Sequence, residues 1–91
     1  MRTIRLYATL RLLTGRRELE VAGQGGTVAE LVREIAHVCP ELGEKMLDAE
    51  GQLTGLVHIF VGGRNIRWLQ GLRTPITPED EVVLFPPVGG G

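Results

Sequence analysis

The chain has 91 residues, 43% of them hydrophobic, with ten Lys or Arg against eleven Asp or Glu and a net charge of −1. That length suits one domain with a modest core, and the balanced charge argues against a nucleic-acid partner, which would favour a basic excess. One cysteine and two histidines exclude an internal disulfide and a four-ligand iron–sulfur cluster, and argue against a zinc site.

The opening MRTIRLYATL has neither the apolar run nor the cleavage site of a signal peptide. No apolar stretch is long enough to span a bilayer. The expectation is a soluble, cytoplasmic protein with no membrane partner.

Residues 3–9, TIRLYAT, alternate, with Ile4, Leu6 and Ala8 on one side and Thr3, Arg5, Tyr7 and Thr9 on the other. That pattern predicts a half-buried strand. Arg11 to Arg17 contains Gly15 and reads as a turn, and Glu18 to Val21 as a second strand completing a hairpin. Thr27 and Glu30 have the spacing of a capping box. Behind them Val28, Leu31, Val32, Ile35, Val38 and Cys39 form one apolar stripe, predicting a helix over about 28–39. Pro40 ends this helix or starts a new short turn. Met46 and Leu47 are expected under that turn, with 48–55 as loop.

Leu56 to Val61 alternates again, with Val57, Ile59 and Val61 opposed to Leu56, His58 and Phe60. Gly62-Gly63 is a two-residue hairpin signal, and Arg64 to Trp68 is expected to return as a shorter strand. Thr77-Pro78-Glu79-Asp80 fits a type I turn. Glu81 to Phe85 reads as the last strand, with Val82 and Leu84 on one face and Val83 and Phe85 on the other. The order β-β-α-β-β-β predicts an α+β fold over residues 1–85, with the helix stripe laid across one face of a mixed sheet. Residues 86–91 form a tail.

The second face of that sheet carries Tyr7, His58, Phe60, Val83 and Phe85. A solvated face would carry polar residues. If the three strands are neighbours, these five form an apolar patch beside the tail, and such patches mark partner surfaces. The alternative is that residues 40–55 fold over and cover it.

Enzyme constellations are not apparent. Gly23 to Gly26 reads as a turn before the helix, since no Gly-Lys-Ser/Thr phosphate loop follows. His37 is expected on the solvated side of the helix, and His58 on a strand face. Cys39 is expected to be a buried, inert thiol, and the acidic residues at 79–81 to form a turn. Trp68 is either a partner anchor or core. Arg2 with Arg5, or Arg64 with Arg67, could line a local basic patch.

The tail is Pro86-Pro87-Val88-Gly89-Gly90-Gly91. Pro86 and Pro87 cannot extend the sheet ladder and favour an extended chain. Four further residues reach roughly 13 Å. Glycines let a backbone approach another molecule closely, so Val88, Gly89, Gly90 and Gly91 suit a narrow tunnel in a partner. The Gly91 α-carboxylate, with an ordinary pKa of about 3.5, is a poor electrophile until activated, which ATP can do by forming an acyl-adenylate.

With these residues in view, the sequence resembles the ubiquitin-like sulfur carriers of the β-grasp fold, and within them the small subunit of molybdopterin synthase. LYATLRLLTG resembles the first strand and following turn, with Tyr7 at an aromatic position and Arg11 at a frequent arginine. VHIFVGGRNI resembles the third strand and hairpin, and DEVVLFPPVGGG the end. Leu12, Gly62 and Pro78-Glu79 depart from the usual pattern in the turns. The resemblance implies a co-substrate rather than an enzyme, with no bound cofactor and no metal, ATP being used by its partner. An adenylyltransferase of the ubiquitin-activating kind would dock on the apolar face and adenylate Gly91. A sulfurtransferase would then convert Gly91 to a thiocarboxylate. A sulfur-accepting enzyme, such as the molybdopterin synthase large subunit, would take the sulfur. Tyr7, Phe60 and Phe85 would anchor the partner and Gly89 to Gly91 would thread into it. The competing readings are a carrier for another product (cysteine, a thiazole or thiolated tRNA), a protein modifier joined through Gly91 to lysines, and a plain interaction module.

Overall fold

The computed structural model describes residues 2–23 and 26–87. Strand β1 (Arg2–Leu6) leads to a short helix α1 (Thr9–Thr14) and strand β2 (Glu18–Val21). A two-residue strand β3 (Gly26–Thr27) precedes helices α2 (Val28–Val38) and α3 (Pro40–Met46). Then come β4 (His58–Val61), β5 (Arg64–Asn65), two 3₁₀ turns at Ile66–Trp68 and Gly71–Arg73, β6 (Pro75–Ile76) and β7 (Val82–Phe85). The main sheet has the order β2-β1-β7-β4-β5, and β3 pairs with β6 in a separate two-stranded ladder. β7 lies between β1, to which it is parallel, and β4, to which it is antiparallel. A helix held by a mixed sheet is the β-grasp arrangement expected from the sequence.

Alternation places the core. Ile4 and Leu6 of β1, Leu19 and Val21 of β2, Ile59 and Val61 of β4, and Val82 and Leu84 of β7 all join one buried cluster with Val28, Leu31, Val32 and Ile35 of α2. Each such side chain contributes about 1.5–3 kcal/mol when fully buried. Thr27 caps α2 by accepting the Glu30 N–H at 3.4 Å. Gly26 and Thr27 pair with Ile76 and Pro75, so the residues expected to be only a turn include a short strand. Gln24 and Gly25 lie outside the described residues.

The first strand is shorter than its alternation predicts. It ends at Leu6, and Ala8 takes a φ of 53°, which no extended strand permits. Ala8 is therefore exposed rather than inward-facing, and the chain turns directly into α1, where a turn was expected. Leu10 of this helix is buried, and Gly15 ends it with φ 71° while its N–H reaches the Arg11 carbonyl.

α2 stops at Val38. Cys39 is buried and has left the helical region, and Pro40 opens α3 at a position where its missing N–H costs nothing. α3 packs against α2 and α1 and adds Leu42 and Met46 to the core. Gly43 makes that approach possible, because a Cβ there would stand 2.4 Å from Ala36 Cβ. Beyond α3, Leu47 bridges to Leu53, and Asp48 Oδ1 accepts the N–H groups of Glu50 and Gln52 at 2.9 Å each. The apolar residues of α3 thus serve the helix side of the sheet.

Gly62 and Gly63 have φ of 59° and 83°, the paired positive values of a type I′ hairpin. The return strand expected to reach Trp68 stops at Asn65. The Asn65 side chain accepts the Arg67 N–H at 3.0 Å and starts a 3₁₀ turn instead. Trp68 is consequently 79% exposed, with the Arg67 guanidinium 5.7 Å from its ring centroid, so it is not core. Arg2 is the reverse case. It lies on the inner side of β1, 6% exposed, and donates to the carbonyls of Asp80 at 2.5 Å and Thr77 at 2.6 Å. It therefore clamps the turn before β7 and forms no surface patch with Arg5. In that turn the Asp80 N–H reaches the Thr77 carbonyl at 3.1 Å.

Candidate functional site

The central strands β1, β7 and β4 are neighbours, so their outward residues meet. Registers Leu6–Leu84 and His58–Phe85 put Tyr7 and His58 on either side of Phe85, and Phe60 opposite Val83. Although Tyr7 lies one residue past β1, its N–H still bonds the Leu84 carbonyl at 3.1 Å and holds the ring in line. The Tyr7 and Phe85 rings stack with centroids 4.6 Å apart and planes 9° apart. Phe60 meets Phe85 edge-on at 5.3 Å and 72°. These are two favourable aromatic geometries, each worth about 0.5–1.5 kcal/mol beyond area burial.

Arg11 closes one end of this ladder. Its guanidinium carbon lies 5.1 Å from the Tyr7 centroid, and its Nε donates to the Leu6 carbonyl at 2.7 Å. α1, unexpected from the sequence, is what brings Arg11 back over Tyr7. At the other end Asn65 sits beside His58, its amide nitrogen 3.2 Å from His58 Nδ1. The amide is the donor there, which leaves the ring nitrogen as acceptor. Asn65 was not singled out from the sequence, yet a two-residue hairpin at Gly62-Gly63 fixes its register opposite Phe60.

Tyr7, His58, Phe60, Val83 and Phe85 are all half-buried, resting on one another and still open to solvent. Among them lies a slot of about 310 Å³ lined by His58, Phe60, Asn65, Phe85 and Pro86. Pro86 is half-buried and Pro87 exposed, so the aromatic face reaches the root of the tail. Val88, Gly89, Gly90 and Gly91 lie outside the described residues.

The remaining candidates sit apart from this face. His37 is exposed on α2. Burial pushes the Cys39 thiol pKa up, which keeps it protonated and unreactive. Among the described residues no group of three or more His, Cys, Asp or Glu is placed to hold a metal, and no helix is long and apolar enough to cross a membrane.

Comparison with known proteins agrees with this arrangement. The model of the ThiS family matches residues 4–91. A protein of Archaeoglobus fulgidus described as a sulfur carrier is 36% identical over 74 residues, covering 81% of this chain and 84% of that one. The sulfur carrier protein CysO of Mycobacterium tuberculosis is 29% identical over 91 residues, covering 98% of this chain and 97% of its own. The solution structure of small archaeal modifier protein 1 from Methanosarcina acetivorans superposes with a TM-score of 0.77 at 32% identity, over 98% of this chain and 94% of that one. The chain belongs to the ThiS family of β-grasp sulfur carriers.

Proposed function

We propose that this carrier works through the carboxyl of Gly91. A carboxylate oxygen attacks the α-phosphorus of ATP on a ubiquitin-activating-enzyme-like adenylyltransferase, releasing pyrophosphate and forming an acyl-adenylate. A sulfurtransferase then supplies a persulfide whose sulfur displaces AMP. Reductive cleavage of the sulfur–sulfur bond by a thiol leaves the Gly91 thiocarboxylate. The protein is a co-substrate in this cycle, and ATP belongs to its partner.

The observation that supports this reading is the aromatic ladder ending at Pro86. Tyr7 and Phe60 are locked on Phe85, and Phe85 is followed directly by the two prolines. A partner gripping that ladder holds a rigid handle a few residues from Gly91. In this reading Tyr7, His58, Phe60, Val83 and Phe85 form the docking face and Arg11 its charged edge. Pro86 and Pro87 hold the chain away from the body, and Val88 to Gly90 thread into the partner. For the acceptor we propose the large subunit of a molybdopterin synthase, on the strength of the FPPVGGG ending.

Intact mass after incubation with the adenylyltransferase, ATP and a sulfur donor tests the chemistry. The expected result is replacement of one oxygen by sulfur at Gly91, lost when Gly91 is deleted. An unchanged mass, with an enzyme that adenylates the chain, sinks it. Adding the thiocarboxylate form to apo molybdopterin synthase large subunit and its precursor tests the acceptor, and no dithiolene product would reject it in favour of another sulfur pathway. The likeness to a small archaeal modifier protein favours a second reading, in which a lysine amine takes the place of sulfur. Isopeptide adducts ending in Gly91 in cell extract would establish that reading.

A further inference from the structure

Pro86 lines two depressions. One is the aromatic slot. The other is a groove of about 250 Å³ walled by Thr9, Leu10 and Leu13 of α1, Lys45 of α3, Leu56, and both Pro86 and Pro87. We infer that this second groove is also a docking element for the adenylyltransferase, receiving an apolar side chain of that enzyme flanked by an acidic one. The inference rests on the carrier reading above and extends its interface to a surface that the outward strand pattern does not include.

Three observations carry it. The first is continuity. The two depressions share Pro86, and the groove also includes Pro87. An enzyme that holds the chain extended beyond Pro87 must close around that root, and so meets both walls. The second is composition. Leu56 is 51% exposed and Leu13 is 37% exposed, and neither belongs to the core cluster. Lys45 is exposed, is the only lysine of the chain, and is the only charged residue lining the groove. An apolar trough with one cation complements an apolar side chain beside a carboxylate.

The third is construction. Leu56 belongs to the loop before β4 and Lys45 to the end of α3, yet hydrogen bonds tie them together. The Thr54 hydroxyl donates to the Lys45 carbonyl. The Thr54 N–H reaches the Met46 carbonyl at 3.0 Å, and the Leu56 N–H reaches the Thr54 hydroxyl at 3.0 Å. Thr54 thereby fixes Leu56 against α3 as one wall, so the exposed leucine is held in place rather than left on a free loop.

The test measures Kd for the same adenylyltransferase used in the mass assay, with wild type, Leu56→Asp, Lys45→Glu and Phe60→Ala. Leu56→Asp and Lys45→Glu are each expected to raise Kd roughly tenfold or more, while saturating enzyme still adenylates the chain. The Lys45→Glu defect is expected to shrink at high salt, because screening weakens the new repulsion; a defect of folding would not. Lys45→Glu exchanges one exposed charge for another, so it decides the matter if Leu56→Asp unfolds the protein. Unchanged Kd for both groove variants, with Phe60→Ala weakened, overturns the groove and leaves the carrier reading intact. If wild type self-associates in sedimentation and Leu56→Asp abolishes this without altering Kd, the occupant is a second copy and the inference is wrong. Unchanged Kd for all three variants, with no adenylate formed, defeats the carrier reading itself.

Discussion

Strands β4 and β7 show two faces to two different environments. Inward, Ile59, Val61, Val82 and Leu84 are 1%, 7%, 1% and 0% exposed and are all aliphatic. Outward, the alternate positions His58, Phe60, Val83 and Phe85 stay half-buried, and two of the four are aromatic. The inner face is what the fold requires, since α2 has to be seated on branched side chains. The outer face exceeds what folding asks, because polar residues satisfy a solvated sheet. Side chains whose size the core does not explain are the ones assigned to partner docking in the proposed function.

Substitutions that separate stability from affinity sharpen or break this contrast. The largest effect on stability is expected from Leu84→Ala, which removes a wholly buried side chain and should cost about 2–5 kcal/mol, read by urea unfolding. The protein that remains folded should bind the adenylyltransferase as wild type does. A lost affinity there would mean that the two faces are not independent. Gly43→Ala tests the helix layer of the same core. Its new methyl meets Ala36, and overpacking of this kind should cost about 1–3 kcal/mol with no change in affinity.

Phe60→Ala is expected to show the opposite balance. It removes the edge contact with Phe85, worth about 0.5–1.5 kcal/mol beyond the area Phe60 half-buries, and should cost less stability than Leu84→Ala, while Kd rises roughly tenfold or more. If it destabilises as much as Leu84→Ala, the outer face is structural and the contrast fails.

The smallest effect concerns Cys39. Burial raises its pKa, so the folded protein keeps a proton that the unfolded chain releases above about pH 8.5. That contribution is therefore complete below pH 8.5 and is lost as pH climbs through the folded pKa. Urea midpoints at pH 7 and pH 10 should fall further for wild type than for Cys39→Ala. Parallel declines would show that the thiol is not protected.

Much of this was legible in the residues because period and punctuation agree. The stripe from Val28, the capping Thr27, the Gly62-Gly63 hairpin and the alternation at 56–61 and 81–85 each announce one element, although the strands begin later, at His58 and Val82, and their neighbours in space gather Tyr7, His58, Phe60, Val83 and Phe85. The failures are local and have local reasons. α1 is six residues long, too short to establish a helical period, and the alternation of β1 runs on through Ala8 until an unusual φ ends it. Paired strands of two residues, such as β3 and β6, carry no period at all. Trp68 is either anchor or core by composition, and core is ruled out only by the side chain of Asn65, which diverts the chain before it can return inward. Arg2 looks like surface until the carbonyls of Thr77 and Asp80 are seen to receive it.

The position of β7 also governs when the molecule can come into being. β7 is the final described strand in sequence and the middle strand in space, wedged between β1 and β4. Until residues 82–85 have been synthesised, β1 and β4 have no shared neighbour, and Ile4, Leu6 and Ile59 lack the inner wall that Val82 and Leu84 provide. Contacts between strands so far apart in sequence are slow to form, and the main sheet cannot close before residues 82–85 are available. A product broken off early would leave the sheet open and expose its core to proteases. Chains that survive as folded protein are then those that contain Phe85, the strand residue directly before Pro86 and Pro87.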